Sequence, residues 1–306
     1  MEVRTLRLLR GNAVVFAMAG AAVCALAFGM TRVVRAAADS QANAQMGVFA
    51  LLGGTQQAIA KGWVHHGVGP AANIKVRLFK SDRTTPVMNY AVRVQNSMHL
   101  IIIRNDFATL TYLDTAFNTS TGTVSGDFTA DPHHGYYLYS DSIPIGMKRQ
   151  VFRFKSTPLP PAAPQRPLST SPTKVASAGP YVVTLERDTF PASSPEILYL
   201  QVARGGSPAQ DLVPFLNAAA QAVFINAQTL QYVYLHPMLR GSKMDTETTY
   251  NLAQEGRRIA SNSLVGPNMQ MTVPPLPPGV YKFWLRFAGG VSMDNYSAGP
   301  FTIVAQ

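Results

Sequence analysis

The chain has 306 residues, of which 47% are hydrophobic and only 14% charged, against about 25% charged in an average soluble domain. It carries 26 basic and 16 acidic side chains, a net charge of +10, and one cysteine. This excludes an acidic disordered tail, a coiled coil, a collagen and a disulfide-stapled mini-protein, since one cysteine cannot close a loop on itself. The length suggests about two domains.

Arg4, Arg7 and Arg10 precede an uncharged run from Gly11 to Thr31, and Arg32 and Arg35 follow it. As a helix at about 1.5 Å per residue those 21 residues reach about 31 Å, which matches a hydrocarbon core of about 30 Å. A secretory signal has a shorter apolar region of about 7–15 residues. Residues 1–38 therefore read first as an uncleaved signal anchor. Ala36-Ala37-Ala38 offers a small-residue cleavage site and keeps a cleaved signal peptide as the alternative. Either reading exports the rest of the chain to the periplasmic side of a bacterial cytoplasmic membrane. Cys24 lies inside the run, and Val23 is not the small residue that a lipidation site needs before its cysteine. Without the five arginines and one glutamate of residues 1–38, 21 basic and 15 acidic residues remain, or +6.

Residues 39–70 are expected to form a juxtamembrane segment. Within them Asn43 to Lys61 is apolar but broken by Gly53 and Gly54, and a helix or a docking segment both fit. From Ile74 the pattern becomes that of strands. Ile74-Lys75-Val76-Arg77-Leu78 and Ala91-Val92-Arg93-Val94 alternate apolar and polar, the signature of a half-buried strand. Met98 to Ile103 is a short apolar run fit for a buried strand; Tyr136 to Tyr139 and Val151 to Phe154 follow. Residues 71–155 are thus a first β-sandwich. Residues 156–180 hold seven prolines. Each removes a donor and fixes φ, so this segment is a linker. Residues 181–306 return to strands, at Tyr181 to Leu185, Ile197 to Val202, Ala222 to Ile225, Gln231 to Leu235, Val280 to Phe287 and Phe301 to Val304. A polar insert lies between Leu239 and Asn262. No helices of the kind βαβ units need separate these strands, so the fold class is all-β, a second sandwich after the first.

The halves repeat. MHLIIIRNDFATLTYLDT from Met98 and AQAVFINAQTLQYVYLHP from Ala220 align without a gap at an offset of 122. His134 to Tyr139 parallels Pro278 to Phe283 at an offset of 144. With DLVPFL at Asp211–Leu216 and PPGVYKFWLRF at Pro277–Phe287, the chain resembles a family of secreted bacterial proteins of duplicated β-sandwiches associated with copper or heavy-metal handling. The resemblance implies immunoglobulin-like or cupredoxin-like sandwiches. It also implies metal ligands at three histidine positions per repeat. In the first repeat these fall on His99, Tyr112 and Asp114, in the second on Gln221, Tyr234 and His236, with Pro237 retained. The metal-ligand candidates are accordingly His99, Asp114 and His236. Zinc or copper ordinarily takes three or four ligands.

His65-His66 and His133-His134 each precede a glycine and read as loop histidines. Eight tyrosines, among them Tyr112, Tyr139, Tyr232 and Tyr234, fall at strand spacing and read as core or cross-strand rings. No G-x-S-x-G, H-E-x-x-H, P-loop or dinucleotide fingerprint is present, and no enzyme activity is expected. The basic residues are dispersed along the chain, so no nucleic-acid partner is expected. Lys148-Arg149 and Arg257-Arg258 read as solvated loops. The low charge favours a surface that can be desolvated in an interface. The expected function is that of a non-catalytic accessory or scaffolding subunit, anchored through residues 11–31 and docked to a larger integral membrane complex. The alternatives are a periplasmic copper or heavy-metal binder, and a surface adhesin or carbohydrate binder.

Overall fold

A computed structural model of the chain describes residues 43–49, 56–66, 70–91, 98–155, 169–215, 218–241 and 264–306. The apolar run 11–31, the Ala36–Ala38 site, linker residues 156–168 and the insert at 242–263 lie outside the described residues. Every regular element among the described residues is a β-strand. No helix among them is long and apolar enough to cross a membrane.

The first half supplies β1 (Asn43–Phe49), β2 (Ile59–His66), β3 (Ala71–Phe79), β4 (Met98–Arg104), β5 (Leu110–Tyr112), β6 (Thr115–Asn118), β7 (Thr123–Thr129), β8 (Tyr136–Ser142) and β9 (Gln150–Lys155). One layer runs β6-β7-β3-β2-β1 and the other β1-β9-β8-β4-β5. Strand β1 belongs to both, pairing with β2 over residues 43–46 and with β9 over residues 47–49. Alternation decides the faces. On β3, Ala72, Ile74, Val76 and Leu78 are buried, while Lys75 is exposed and Asn73 and Arg77 are half-exposed. The inward residues meet Leu100, Ile102, Phe152 and Phe154 of the opposite layer.

The first sandwich therefore starts earlier than residue 71. The segment expected to be juxtamembrane contributes β1 and β2. Its helical alternative gives way to pairing, because Ile59–His66 lies antiparallel to β3 over eight residue pairs, with Ala60 and Val64 in the core.

The second half supplies β10 (Val175–Ala178), β11 (Tyr181–Leu185), β12 (Thr189–Phe190), β13 (Glu196–Arg204), β14 (Ser207–Pro208), β15 (Leu212–Val213), β16 (Gln221–Asn226), β17 (Tyr232–Leu235), β18 (Met238–Leu239), β19 (Asn268–Val273), β20 (Gly279–Gly289) and β21 (Asp294–Ala305). Its layers run β10-β11-β13-β19-β18, with β14 on β13, and β12-β21-β20-β16-β17, with β15 on β20. The core is aromatic: Phe283 stacks on Phe224 at 4.5 Å and on Phe301 at 5.2 Å. This sandwich also starts inside the expected linker. Residues 173–178 hold no proline, so β10 can pair with β11 through the two-residue turn Gly179-Pro180. Gly179 has φ +58°, as the first position of a II′ turn requires.

Strand pairing repeats with the sequence. Ile101 faces Tyr112 on β5, and Val223 faces Tyr234 on β17, both at the offset of 122. The later motif differs from the expected offset of 144. Ile101 pairs with Tyr139 and Val223 with Trp284, an offset of 145. A slip of one residue exchanges the faces of a strand. Tyr139 thus corresponds to Trp284, and Leu138 to Phe283, which faces its own core as Leu138 does. Beside Trp284, β21 carries an extra residue in its pairing with β20. Gly299 sits there because a Cβ would lie 2.7 Å from the Phe283 carbonyl oxygen and 2.8 Å from the indole of Trp284.

Phe224→Ala is expected to cost about 3–5 kcal/mol of folding stability, as large-to-small changes in a full aromatic core do. Denaturant unfolding of the purified chain measures it.

Candidate functional site

Strands β4 and β16 are buried on both faces. Leu100 and Ile102 face the first core and Ala222 and Phe224 the second. Ile101, Ile103, Val223 and Ile225 face the other way, into a third cluster with Tyr139, Val151, Tyr232, Tyr234 and Trp284. This cluster is the contact between the sandwiches. The β9-β8-β4 layer of the first packs on the β17-β16-β20 layer of the second.

Polar groups in it are few and mostly matched. Tyr139 stacks on Tyr232 with ring centroids 5.2 Å apart, and its hydroxyl donates to the Leu230 carbonyl at 2.9 Å. Asp141 is fully buried. Its Oδ1 accepts from Arg149 Nε at 2.8 Å, its Oδ2 from Arg149 Nη2, and the Tyr232 hydroxyl lies 3.3 Å from Oδ2. The Arg149 guanidinium also lies 5.1 Å from the Tyr234 ring centre. In return Arg286 of the second sandwich sits 3.8 Å from the ring centre of Tyr112 of the first. Each half therefore caps the equivalent tyrosine of the other with an arginine.

The electrostatics follow from burial. Desolvation disfavours the Arg149 charge, but Asp141 outweighs it and raises its pKa. Burial raises the phenols of Tyr112, Tyr139 and Tyr232 above their ordinary range, and for Tyr232 the Asp141 charge adds to it. At neutral pH these hydroxyls stay protonated; those of Tyr139 and Tyr232 act as donors, to the Leu230 carbonyl and to Asp141. Gln221, in the place His99 holds in the first repeat, keeps its Oε1 buried without a hydrogen-bond partner.

The metal-ligand candidates separate. His99 is only 8% exposed, and its ring lies 6.5 Å from that of Tyr234. His236 lies 5.0 Å from the same ring, edge to face. The docking thus brings His99 to the ring that His236 borders within its own half. Asp114 is exposed in the connection between β5 and β6. Among the described residues no three His, Cys, Asp or Glu side chains converge on a possible metal position. Arg149, expected in a solvated loop, turns its side chain onto the docking cluster and is only 19% exposed there, because Asp141 compensates its charge. Arg257-Arg258 lies outside the described residues. Sequence reasoning missed Asp141; the signal available was the unbroken apolar run of β4, which demands cover on both faces.

His134 is held at one edge of the first sandwich. Its Nδ1 is 2.8 Å from Asp131 Oδ2 and its Nε2 3.6 Å from Asp106 Oδ2, while Arg104 bonds Asp106 through Nε at 2.7 Å and Nη2 at 2.8 Å. Burial alone would raise the Asp106 pKa; the Arg104 bonds, the Ala108 N–H and nearby positive charge lower it.

The remaining surface of interest is the outer layer of the second sandwich. The residues at the outward positions of its three central strands are themselves uncharged: Val182 and Thr184 on β11, Ile197, Tyr199, Gln201 and Ala203 on β13, Gln270 and Thr272 on β19; the Arg240 guanidinium lies 4.4 Å from the Tyr199 ring centre, and Gln270 and Thr272 are buried. Val182 and Ile197 are 39% and 41% exposed.

Residues 174–305 match a family model described as a domain of unknown function, DUF8832. Comparison with curated proteins gave no match. Among solved structures, a DUF4785 family protein from Legionella pneumophila aligns at 12% identity and a TM-score of 0.24, covering 81% of this chain and 56% of that one. The chain spans little more than half the length of that protein.

Two predictions follow from the buried groups. Asp141→Asn leaves the Arg149 charge without its partner and is expected to cost about 3–5 kcal/mol, while the double variant Asp141→Leu, Arg149→Met recovers most of it; chemical denaturation of the three proteins checks this. Asp106 has a folded pKa below its unfolded value of about 3.9. Its contribution is therefore present above that value and lost as pH falls through the depressed one. Asp106→Asn is expected to flatten this acid limb, read from thermal unfolding between neutral pH and strong acid.

Proposed function

We propose that the chain is a non-catalytic accessory subunit, held at the periplasmic face of a bacterial cytoplasmic membrane by residues 11–31. It docks onto a larger integral membrane complex through the outer layer of its second sandwich. The supporting observation is the absence of charge from that layer's central strands. Charge is depleted at the cores of protein interfaces, because a desolvated charge needs a matched partner. An outer sandwich face normally alternates polar and charged residues into solvent. This one offers β-branched, tyrosyl and amide side chains, which cost less to desolvate than charges where their polar groups find hydrogen-bond partners. The contact with the first sandwich uses the other layer, and Val182, Ile197 and Gln201 of this one remain exposed. The partner chemistry it suits is an uncharged, flat protein surface of at least the usual ~800 Å² per side.

Gentle detergent extraction, sizing and mass spectrometry test the reading. The protein is expected to co-migrate with its host complex. Val182→Glu with Ile197→Glu is expected to release it while it remains folded by circular dichroism. Migration as a monomer that begins at residue 39 overturns it.

A further inference from the structure

The outer layer of the first sandwich has a different chemistry. An open concavity of about 380 Å³ lies on it, lined by Trp63, Lys75, Arg77, Asn118, Thr123 and Ser125 among others. Strand register builds it. Trp63 on β2 pairs with Lys75 on β3, and Lys75 with Ser125 on β7. The next row outward runs Lys61, Arg77, Thr123 and Asn118 across four strands. Lysine and arginine residues far apart in sequence thereby become neighbours.

The cations are held in place but not neutralised. The Lys61 ammonium stands 4.6 Å from the ring centre of Phe79, and the Arg77 guanidinium 5.9 Å from it. Arg77 also donates through Nε and Nη2 to Thr123 Oγ1, at 2.9 and 2.7 Å. Among the described residues no carboxylate lies within ion-pair distance of Lys61, Lys75 or Arg77. The one acid in the adjoining row, Asp127, accepts from Asn73 at 2.7 Å. Lys75 and Arg77 line the concavity and Lys61 is the strand neighbour of Arg77, so the positive charges on this concave surface focus a field that attracts an anion.

Trp63 narrows the class of anion. It is half-exposed and lines the floor. An indole face is electron-rich and attracts the C–H face of a sugar ring, whereas a bare phosphate or carboxylate gains nothing from it. Thr123, Ser125 and Asn118 add donors and acceptors of the kind that pair with sugar hydroxyls. The volume is within the range of small-ligand sites, about 300–1,000 Å³. We infer that this face binds acidic polysaccharide, a chain of uronate-type or sulfated sugars, with one ring on Trp63 and its acidic groups on Lys61, Lys75 and Arg77. This inference goes beyond the docking role and rests on the opposite sandwich.

Titration of the full chain with polygalacturonate, followed by calorimetry and by acrylamide quenching of tryptophan, tests it. Trp284 is buried, so quenching reports Trp63. Saturable binding that shields Trp63 is expected, with no response to dextran. Lys75→Glu changes an exposed residue and is expected to weaken binding about tenfold, the size of one charge-assisted contact. Trp63→Ala is expected to abolish it, and Val182→Glu to leave it intact. No binding of polygalacturonate, equal binding by Lys75→Glu, equal affinity for polyglutamate, or binding to phosphatidylglycerol vesicles in place of the polysaccharide each overturns the inference.

Discussion

The structure depends on two strands that have no solvent face. In an ordinary sandwich a strand buries one set of alternate side chains and wets the other. Strand β4 presents Leu100 and Ile102 to one core, and Ile101 and Ile103 to the contact between the halves; β16 divides Phe224 from Val223 and Ile225 in the same way. A fully buried aliphatic side chain is worth about 1.5–3 kcal/mol. Leaving this second set in water would expose a contiguous apolar patch on each half. Docking is therefore a condition for either sandwich to be soluble with these sequences. The Asp141–Arg149 pair has another part in it. A buried ion pair adds little net stability, because desolvation offsets the attraction, but losing one partner is costly. Both residues belong to the first half, and the Tyr232 hydroxyl, 3.3 Å from the same carboxylate, ties the pair to the second.

Docking also decides which faces are left for function. Each sandwich commits one layer to the contact. The remaining layers do not resemble one another. On the first, Lys61, Lys75 and Arg77 gather around Trp63 and an open concavity. On the second, Val182, Ile197 and their neighbours carry no charge. The low charge fraction of the whole chain is thus unevenly distributed. Basic residues that look scattered along β2 and β3 converge because adjacent strands lie only about 4.8 Å apart.

Much of the architecture could be read from local pattern. Alternation in Ile74–Leu78 marks a half-buried strand, and the ungapped repeat at 122 reproduces the pairing of Ile101 with Tyr112 and Val223 with Tyr234. Where reading failed, pairing over long distances decided the outcome. Residues 43–49 have no clean strand period, yet they pair with β2 and β9, the latter about a hundred residues away. The loop position of Arg149 looks solvated until Asp141 is placed beside it. His236 lies beside Tyr234 in its own half, whereas His99, 135 residues before that tyrosine, reaches the same ring only through the docking. A motif can name such residues, but it carries no information on what covers them.

The repeat itself explains why the two halves diverge where they meet. When duplicated layers pack face to face, equivalent positions come close, as they do across a two-fold axis. Identical charges there would repel within a medium of low dielectric. The register makes Asp141 and Arg286 counterparts, each opposite the equivalent residue of β4 or β16, His99 in one half and Gln221 in the other. The pair has opposite sign, and both charges act on the buried Tyr112 phenol, Arg286 lowering its pKa and Asp141 raising it. The tyrosines capped by arginine, Tyr112 and Tyr234, stay the same in both repeats, since a ring accepts a cation equally well from either side. Apolar and aromatic positions could remain alike after duplication, while the charged ones had to become complementary. His99 and Gln221 lie on the same surface, and the two halves differ there too, an imidazole beside Asp141 in one and an amide beside Arg286 in the other.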